Sequence, residues 1–315
     1  MPLPPWDEVW LAVRTVIGPS LGAAAGVYLL VRLLLGMRRA PLAAALAVGA
    51  GGLAGTWAGE AMPLRLDPEQ PLMASAWLTA AGQSLGVWRP AVDPAPPLPP
   101  PRYWLPWLAL AAVVVETLVR WPRWPWFGAW GLRGLVVAAA AVLLTPAEQR
   151  AEEPWLLPAV GGVMLLAWAI GRQTARSWPK GWPALLAACM AALGAGVMLH
   201  AHSARLTDLL LVGFGTLAGI GLSARFLPGD QGPALAAAAL WLPGLALTAH
   251  HETFSDVPTW GLALVGLAPL GLAALLPAGF LQRWGRVVFG LACLAALAPV
   301  GAALFLAVRA VTLEF

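Results

Sequence analysis

Val136-Val137-Ala138-Ala139-Ala140-Ala141-Val142-Leu143-Leu144 is apolar at every position. A strand in a membrane barrel alternates lipid-facing apolar residues with polar ones facing the lumen. No such alternation is present here, so the stretch reads as helix, apolar on all sides. Traced back to Phe127 it reaches the length a helix needs, about 20 residues, to cross the roughly 30 Å hydrocarbon core of a bilayer.

The rest of the 315-residue chain repeats this pattern. Continuous apolar runs predict ten spans, at 16–36, 41–59, 104–119, 127–144, 155–171, 183–200, 206–224, 233–250, 260–281 and 287–308. Pro and Gly inside several of them are compatible with membrane helices, whose neighbours re-satisfy the freed backbone groups. Hydrophobic residues make up 60% of the chain and charged residues 11%, against about 45–50% and about 25% in soluble domains. Such a chain has too little polar surface to cover itself in water. The fold class expected is an all-α, polytopic transmembrane bundle forming one integral membrane domain over residues 1–315. The net charge of +4 does not point to nucleic acid, because the arginines stand singly at the ends of apolar runs, where membrane proteins place them. Cys189 and Cys293 fall inside apolar runs and read as small buried hydrophobes. The first residues carry Asp7 and Glu8 and no basic cluster, so no cleaved leader is expected and the first helix stays in the protein.

Orientation follows from the basic residues. With the N-terminus outside, one side of the membrane receives Arg32, Arg38, Arg39, Arg120, Arg123, Arg133, Arg172, Arg176, Lys180, Arg225, Arg283 and Arg286, with only Glu116 and Asp230 as acids. The positive-inside rule makes that side cytoplasmic and leaves both termini outside the cytoplasm. The excess of Arg over Lys and the Ala, Leu and Gly bias suggest a GC-rich bacterial genome, hence the inner membrane of a bacterium.

Residues 60–102 form the one long connection, an extracytoplasmic loop. Its moderately apolar part, 71–88, reads as an interfacial or re-entrant helix, and the Pro-rich part, 90–101, as an extended spacer. A true span at 71–88 would invert everything downstream. Trp residues gather at span ends, as in the aromatic belts of membrane proteins. The cluster from Trp121 to Trp126 is dense enough to offer a docking surface, so the Trp- and Pro-rich cytoplasmic loops are candidate contacts for membrane protein partners besides the lipid bilayer itself.

Gly18, Gly22 and Gly26 in the first span and Gly51, Gly55 and Gly59 in the second recur every four residues, so each set lines one helical face. Small residues at this spacing let backbones approach closely, which drives association where lipid removes the hydrophobic incentive. The spacing predicts a tight antiparallel hairpin with Gly22 facing Gly55. Gly215 and Gly219 carry a weaker form of the same signal.

The residues best suited to chemistry are four histidines and nearby acids. His200 and His202 end the sixth span, Asp208 opens the seventh, and His250, His251 and Glu252 end the eighth, all on the expected outer face. Imidazole and carboxylate are the usual ligands of zinc and other transition metals, and imidazole also ligates haem or carries protons. The spacings match no specific metalloenzyme motif, and the same residues also read as ordinary interfacial groups at loop edges. No cofactor is therefore predicted, with metal or haem at these histidines as the alternative. Glu116 precedes Arg120 by four residues, the favourable order for a helical ion pair, and both are expected to reach the cytoplasmic interface. Nucleophile elbows, phosphate loops and metalloprotease motifs are missing from the sequence. Since ionisable groups within the membrane mark ion and proton pathways, the lack of a mid-membrane acid or Lys argues against an ion-coupled pump. The function classes left open are a permease for an uncharged or lipid-like substrate, a non-enzymatic membrane subunit or scaffold, and an outer-face enzyme or metal- or haem-binding protein.

Overall fold

The structure is a computed structural model, which describes residues 10–36, 39–58, 104–120, 124–178, 180–252, 257–277, 281, 283 and 285–312. The interfacial helix and Pro-rich spacer expected within 60–102, together with Gly59 and Trp121, lie outside the described residues. Among those described there is no strand. The helices are α1 (Trp10–Leu35), α2 (Ala40–Ala58), α3 (Leu105–Leu118), α4 (Trp126–Leu144), α5 (Ala147–Glu152), α6 (Leu156–Ser177), α7 (Trp182–His200), α8 (Ala204–Phe226), α9 (Gly232–Glu252), α10 (Thr259–Leu267, continued as a 3₁₀ helix over Ala268–Leu275) and α11 (Gly285–Thr312).

Seven of these, α1, α4, α6, α7, α8, α9 and α11, are long and apolar enough to cross a membrane, while α2, α3 and α10 contain shorter apolar stretches. The α10 segment reaches further than its residue count suggests. A 3₁₀ turn rises about 2.0 Å per residue against about 1.5 Å in an α-helix, so its two parts together cover roughly 30 Å. The polar α5, with sequence AEQRAE, sits in what the sequence shows only as a loop.

The core is a single helix wrapped by the others. From Gly232 to Ala249 every residue of α9 is buried except Trp241, which is half-buried. A helix apolar all round belongs in such a place, and the run Ala236–Ala239 lets α3, α6, α8 and α10 approach it. The outer helices instead present large apolar side chains outward: Leu33 and Leu34 on α1, Leu135 on α4, Val287, Leu294 and Phe305 on α11 are each more than half exposed. Water would not tolerate this continuous apolar exterior, whereas hydrocarbon does. Cys189 belongs to the same exterior: it is an exposed free thiol on α7, not the protein-buried hydrophobe expected of it.

The first helix starts earlier than its apolar run and contains a π turn at Val13–Ile17. Pro19 explains the turn. Its ring lacks an N–H and crowds the carbonyl one turn back, and the widened turn lets the Gly18 N–H donate five residues back to the Val13 carbonyl. The Ser20 hydroxyl then donates to the Val16 carbonyl at 2.8 Å and to the Ile17 carbonyl at 3.0 Å.

The α1–α2 hairpin forms, but in a different register from the one the glycines predict. Gly18, Gly22 and Gly26 are exposed, and a Cβ on Gly22 or Gly26 would meet nothing within 4 Å. Buried along α1 are Val16, Ser20, Ala24, Tyr28 and Arg32, a row two residues displaced and therefore on the opposite side of the helix. Gly55 of α2 faces Ser20 of α1 and Val212 of α8, where an added Cβ would lie 2.8 and 2.9 Å from their side chains; Gly51 faces Ser20, Ala24 and Thr216. Gly215 and Gly219 of α8 lie against α1 from the other side, at Ile17, Ser20, Leu21 and Ala24. The close-packed unit is thus a triple junction of α1, α2 and α8. Ser and Ala on α1 meet glycines on both partners, and the α1 glycines face outward.

Gly55→Leu should therefore lower thermal stability in detergent by an amount corresponding to about 1–3 kcal/mol, the usual cost of overpacking. Gly22→Leu should leave it unchanged. Equal melting shifts for the two variants would contradict the junction.

Candidate functional site: a buried ionic node and a lateral apolar cavity

Glu116 lies in the last turn of α3 and its side chain is fully buried. The expected pair with Arg120 is present: Arg120 donates from Nε at 3.0 Å and Nη2 at 2.9 Å to Oε1 of Glu116. Snorkelling to the interface is not what the carboxylate does. Its second oxygen, Oε2, accepts from Nε and Nη2 of Arg133 at 3.0 and 2.8 Å, and from the indole Nε1 of Trp168 at 2.9 Å. Arg133 sits two turns into α4 and is itself fully buried. Its guanidinium lies 4.8 Å from the centroid of the Trp130 ring and 5.9 Å from that of Trp168, distances at which an aromatic face stabilises a cation. Arg172, one turn beyond Trp168 on α6, approaches Oε1 of Glu116 to 3.7 Å. Burial pushes the Arg120 guanidinium below its ordinary pKa, and the carboxylate of Glu116 opposes that shift.

The node continues into the α8–α9 connection. Arg120 also pairs with Asp230, and Oδ1 of Asp230 accepts from the Gly232 N–H at 2.9 Å, capping α9. Tyr28 donates to the Leu227 carbonyl at 3.3 Å, Arg32 to the Pro228 carbonyl at 2.6 Å, and buried Gln231 accepts from the Ala184 N–H at 3.3 Å. One short turn is therefore held by α1, α3 and α7 together. These contacts gather Arg32, Arg120, Arg133, Arg172 and Asp230 at a single end of the bundle. The sequence places all five on one side, but sees only the Glu116–Arg120 pair, because linking Arg133 and Trp168 to it requires knowing that α3, α4 and α6 adjoin. Their equal depth from the span ends is the available signal.

At the same end, Trp178 and Trp182 turn inward instead of forming a belt or a docking surface. The Trp178 indole donates to the Leu275 carbonyl at 2.8 Å, and both rings lie 5.1 Å from that of Phe289. Trp124, Trp126 and Phe127 remain exposed.

The histidines lie at the opposite ends of their helices, His200 and His202 at the end of α7 and His250 and His251 at the end of α9. His202 has a left-handed backbone, φ 55°, and ends α7 as a helix stop: its N–H donates to the Leu199 carbonyl at 3.1 Å, and that of Ser203 to the Met198 carbonyl at 3.1 Å. This bond pair is a Schellman motif. His250 and His251 are neighbours, with ring centroids 4.9 Å apart. Asp208 lies in the first turns of α8 and Glu252 ends α9. Among the described residues, no three His, Cys, Asp or Glu side chains converge as a metal-ligand set.

A second feature has no sequence motif. A cavity of about 280 Å³ opens between α2, α3, α8 and α9, at mid-length of α8 and α9. Its floor is formed by Ala238 and Leu242 of α9 and Val212 of α8, while Leu53, Trp107 and Leu110 form a partly exposed rim. The cavity is thus open sideways, toward the apolar exterior of the bundle. Glycines on α2 make the space, since neither Gly49 nor Gly52 would bring a Cβ within 4 Å of anything. No family model, curated protein or solved structure matches the chain.

Glu116→Ala leaves Arg133 buried without its carboxylate, a change that costs about 3–5 kcal/mol. The variant should unfold at lower temperature in mild detergent, and Glu116→Leu combined with Arg133→Met should recover part of the loss, since the fully buried guanidinium is removed and Arg120 keeps Asp230, while the Trp168 N–H is left without its acceptor. A Glu116→Ala protein as stable as the wild type would contradict the node.

Proposed function

We propose that the chain is a ten-span protein of a bacterial cytoplasmic membrane that takes an uncharged, lipid-like molecule from the bilayer into the cavity between α2, α3, α8 and α9, and passes it across in the manner of a permease. The observation that carries this reading is the cavity: it is almost wholly apolar, opens sideways between helices, and at about 280 Å³ lies just under the lower end of the size range of small-ligand sites, about 300 Å³. A substrate dissolved in lipid enters such a site without crossing water. The cavity wall holds no charged side chain among the described residues, which suits a substrate that moves without a coupled ion. Ten spans follow if α2, α3 and α10 cross together with the seven longer helices. With the arginine-rich end in the cytoplasm, both termini lie outside.

Two experiments test this. In sealed inverted and right-side-out vesicles, Lys180→Cys should react with an impermeant maleimide only from the cytoplasmic side, and His202→Cys only from the outer side; both side chains are exposed. Reactivity of both from one side would overturn the topology. In liposomes, the protein should render a fluorescent NBD-labelled glucosylceramide, a lipid that carries no charge, in the inner leaflet accessible to dithionite. Gly52→Leu, whose Cβ would meet nothing within 4 Å and whose side chain would occupy the cavity, should abolish this with unchanged melting temperature. Equal dithionite access with and without the wild-type protein would overturn the transport reading.

A further inference from the structure

The cavity wall carries two polar groups whose hydrogen-bonding capacity the described residues do not use. Thr216 on α8 is 5% exposed, and its hydroxyl has no hydrogen-bond partner. The Trp241 indole N–H, on α9, has none either. Both residues line the cavity. Trp241 Nε1 stands 3.4 Å from where a Cβ on Gly213 would be, and the Thr216 hydroxyl 2.7 Å from where a Cβ on Gly51 would be; Gly213 and Thr216, three residues apart on α8, share a helical face. The third wall hydroxyl, that of Thr56, is already committed to the Gly52 carbonyl at 2.8 Å.

Both available groups donate. An indole N–H is a donor only, and a hydroxyl donates or accepts. In a wall otherwise almost wholly apolar, an unsatisfied donor is unfavourable. A single acceptor oxygen carried on an apolar body satisfies the donors and fills the remaining space together. We infer that the molecule held in this cavity bears a carbonyl oxygen, as a ketone or ester, which accepts from Trp241 Nε1–H and the Thr216 hydroxyl while its hydrocarbon leaves through the gap between α2 and α3. This inference rests on the lipid-like substrate reading and specifies its chemistry. Trp241 and Thr216 select for the carbonyl; the glycines of α2 admit the chain.

A diazirine-bearing fatty-acid methyl ester photolabels the purified full-length protein in detergent, and two competitors of equal length, a long-chain methyl ketone and the corresponding alkane, are titrated against it. In the wild type the ketone should displace the probe at about tenfold lower concentration than the alkane, as one net hydrogen bond implies. Trp241→Phe and Thr216→Val should each narrow that gap while leaving the alkane curve in place. Equal displacement by ketone and alkane in the wild type, or a full gap persisting in both variants, overturns the carbonyl assignment while the lipid-like site stands. Labelling that Gly52→Leu leaves undiminished overturns the cavity reading itself, and this inference with it. Thr216→Val is nearly isosteric, so it reads the effect even if Trp241→Phe fails to fold.

Discussion

A carboxylate that no water reaches constrains the arginine-rich end of this bundle. An isolated ion moved into a low-dielectric interior is penalised by several kcal/mol even after relaxation, so Glu116 is compatible with its site only because each of its oxygens is occupied by a fixed donor. Arg120 takes one, Arg133 and Trp168 take the other. Since those donors sit on the end of α3, on α4 and on α6, satisfying one charge fixes three helices in depth and rotation. Arg120 passes the constraint through Asp230 to the N-terminus of α9. The central helix is thereby positioned by charge at one end and by close packing along its length.

Close packing follows from the other side of the same physics. Lipid offers no hydrophobic reason for apolar helices to adhere, so contact must come from backbones that approach closely. The α1–α2–α8 junction achieves this with Ser20 and Ala24 against Gly51, Gly55, Gly215 and Gly219. On the α3 side of α2, Gly49 and Gly52 have no neighbour within 4 Å, and the cavity occupies that side. The residue type that closes one face of α2 opens the other, and what decides between them is whether a facing helix lies within reach.

The helical class and the positions of the apolar segments were legible in the sequence because continuous apolar runs have no competing interpretation. The face of α1 was not. Gly18, Gly22 and Gly26 have the spacing of a packing stripe, but spacing fixes only which residues share a face, and Ser20 and Ala24 are small enough to serve equally well. Glu116 and Arg120 were legible as a helical pair since their partnership is local. Arg133 and Trp168, 17 and 52 residues away from Glu116, were not. His202 was legible by its side-chain chemistry alone, and its left-handed backbone, which stops α7, was not. The cavity leaves no mark on the sequence, since apolar residues and glycines at 48–56 and 237–242 are equally consistent with solid packing.

The central claim is that the space between α2, α3, α8 and α9 receives a molecule from the bilayer. A cryo-electron microscopy map of the protein in lipid nanodiscs tests it most directly. The result predicted is elongated non-protein density running from Trp241 past Gly52 to the rim at Leu53 and Leu110. Side chains of α2 and α3 closed against each other, with no density between Gly52 and Trp241, would contradict it.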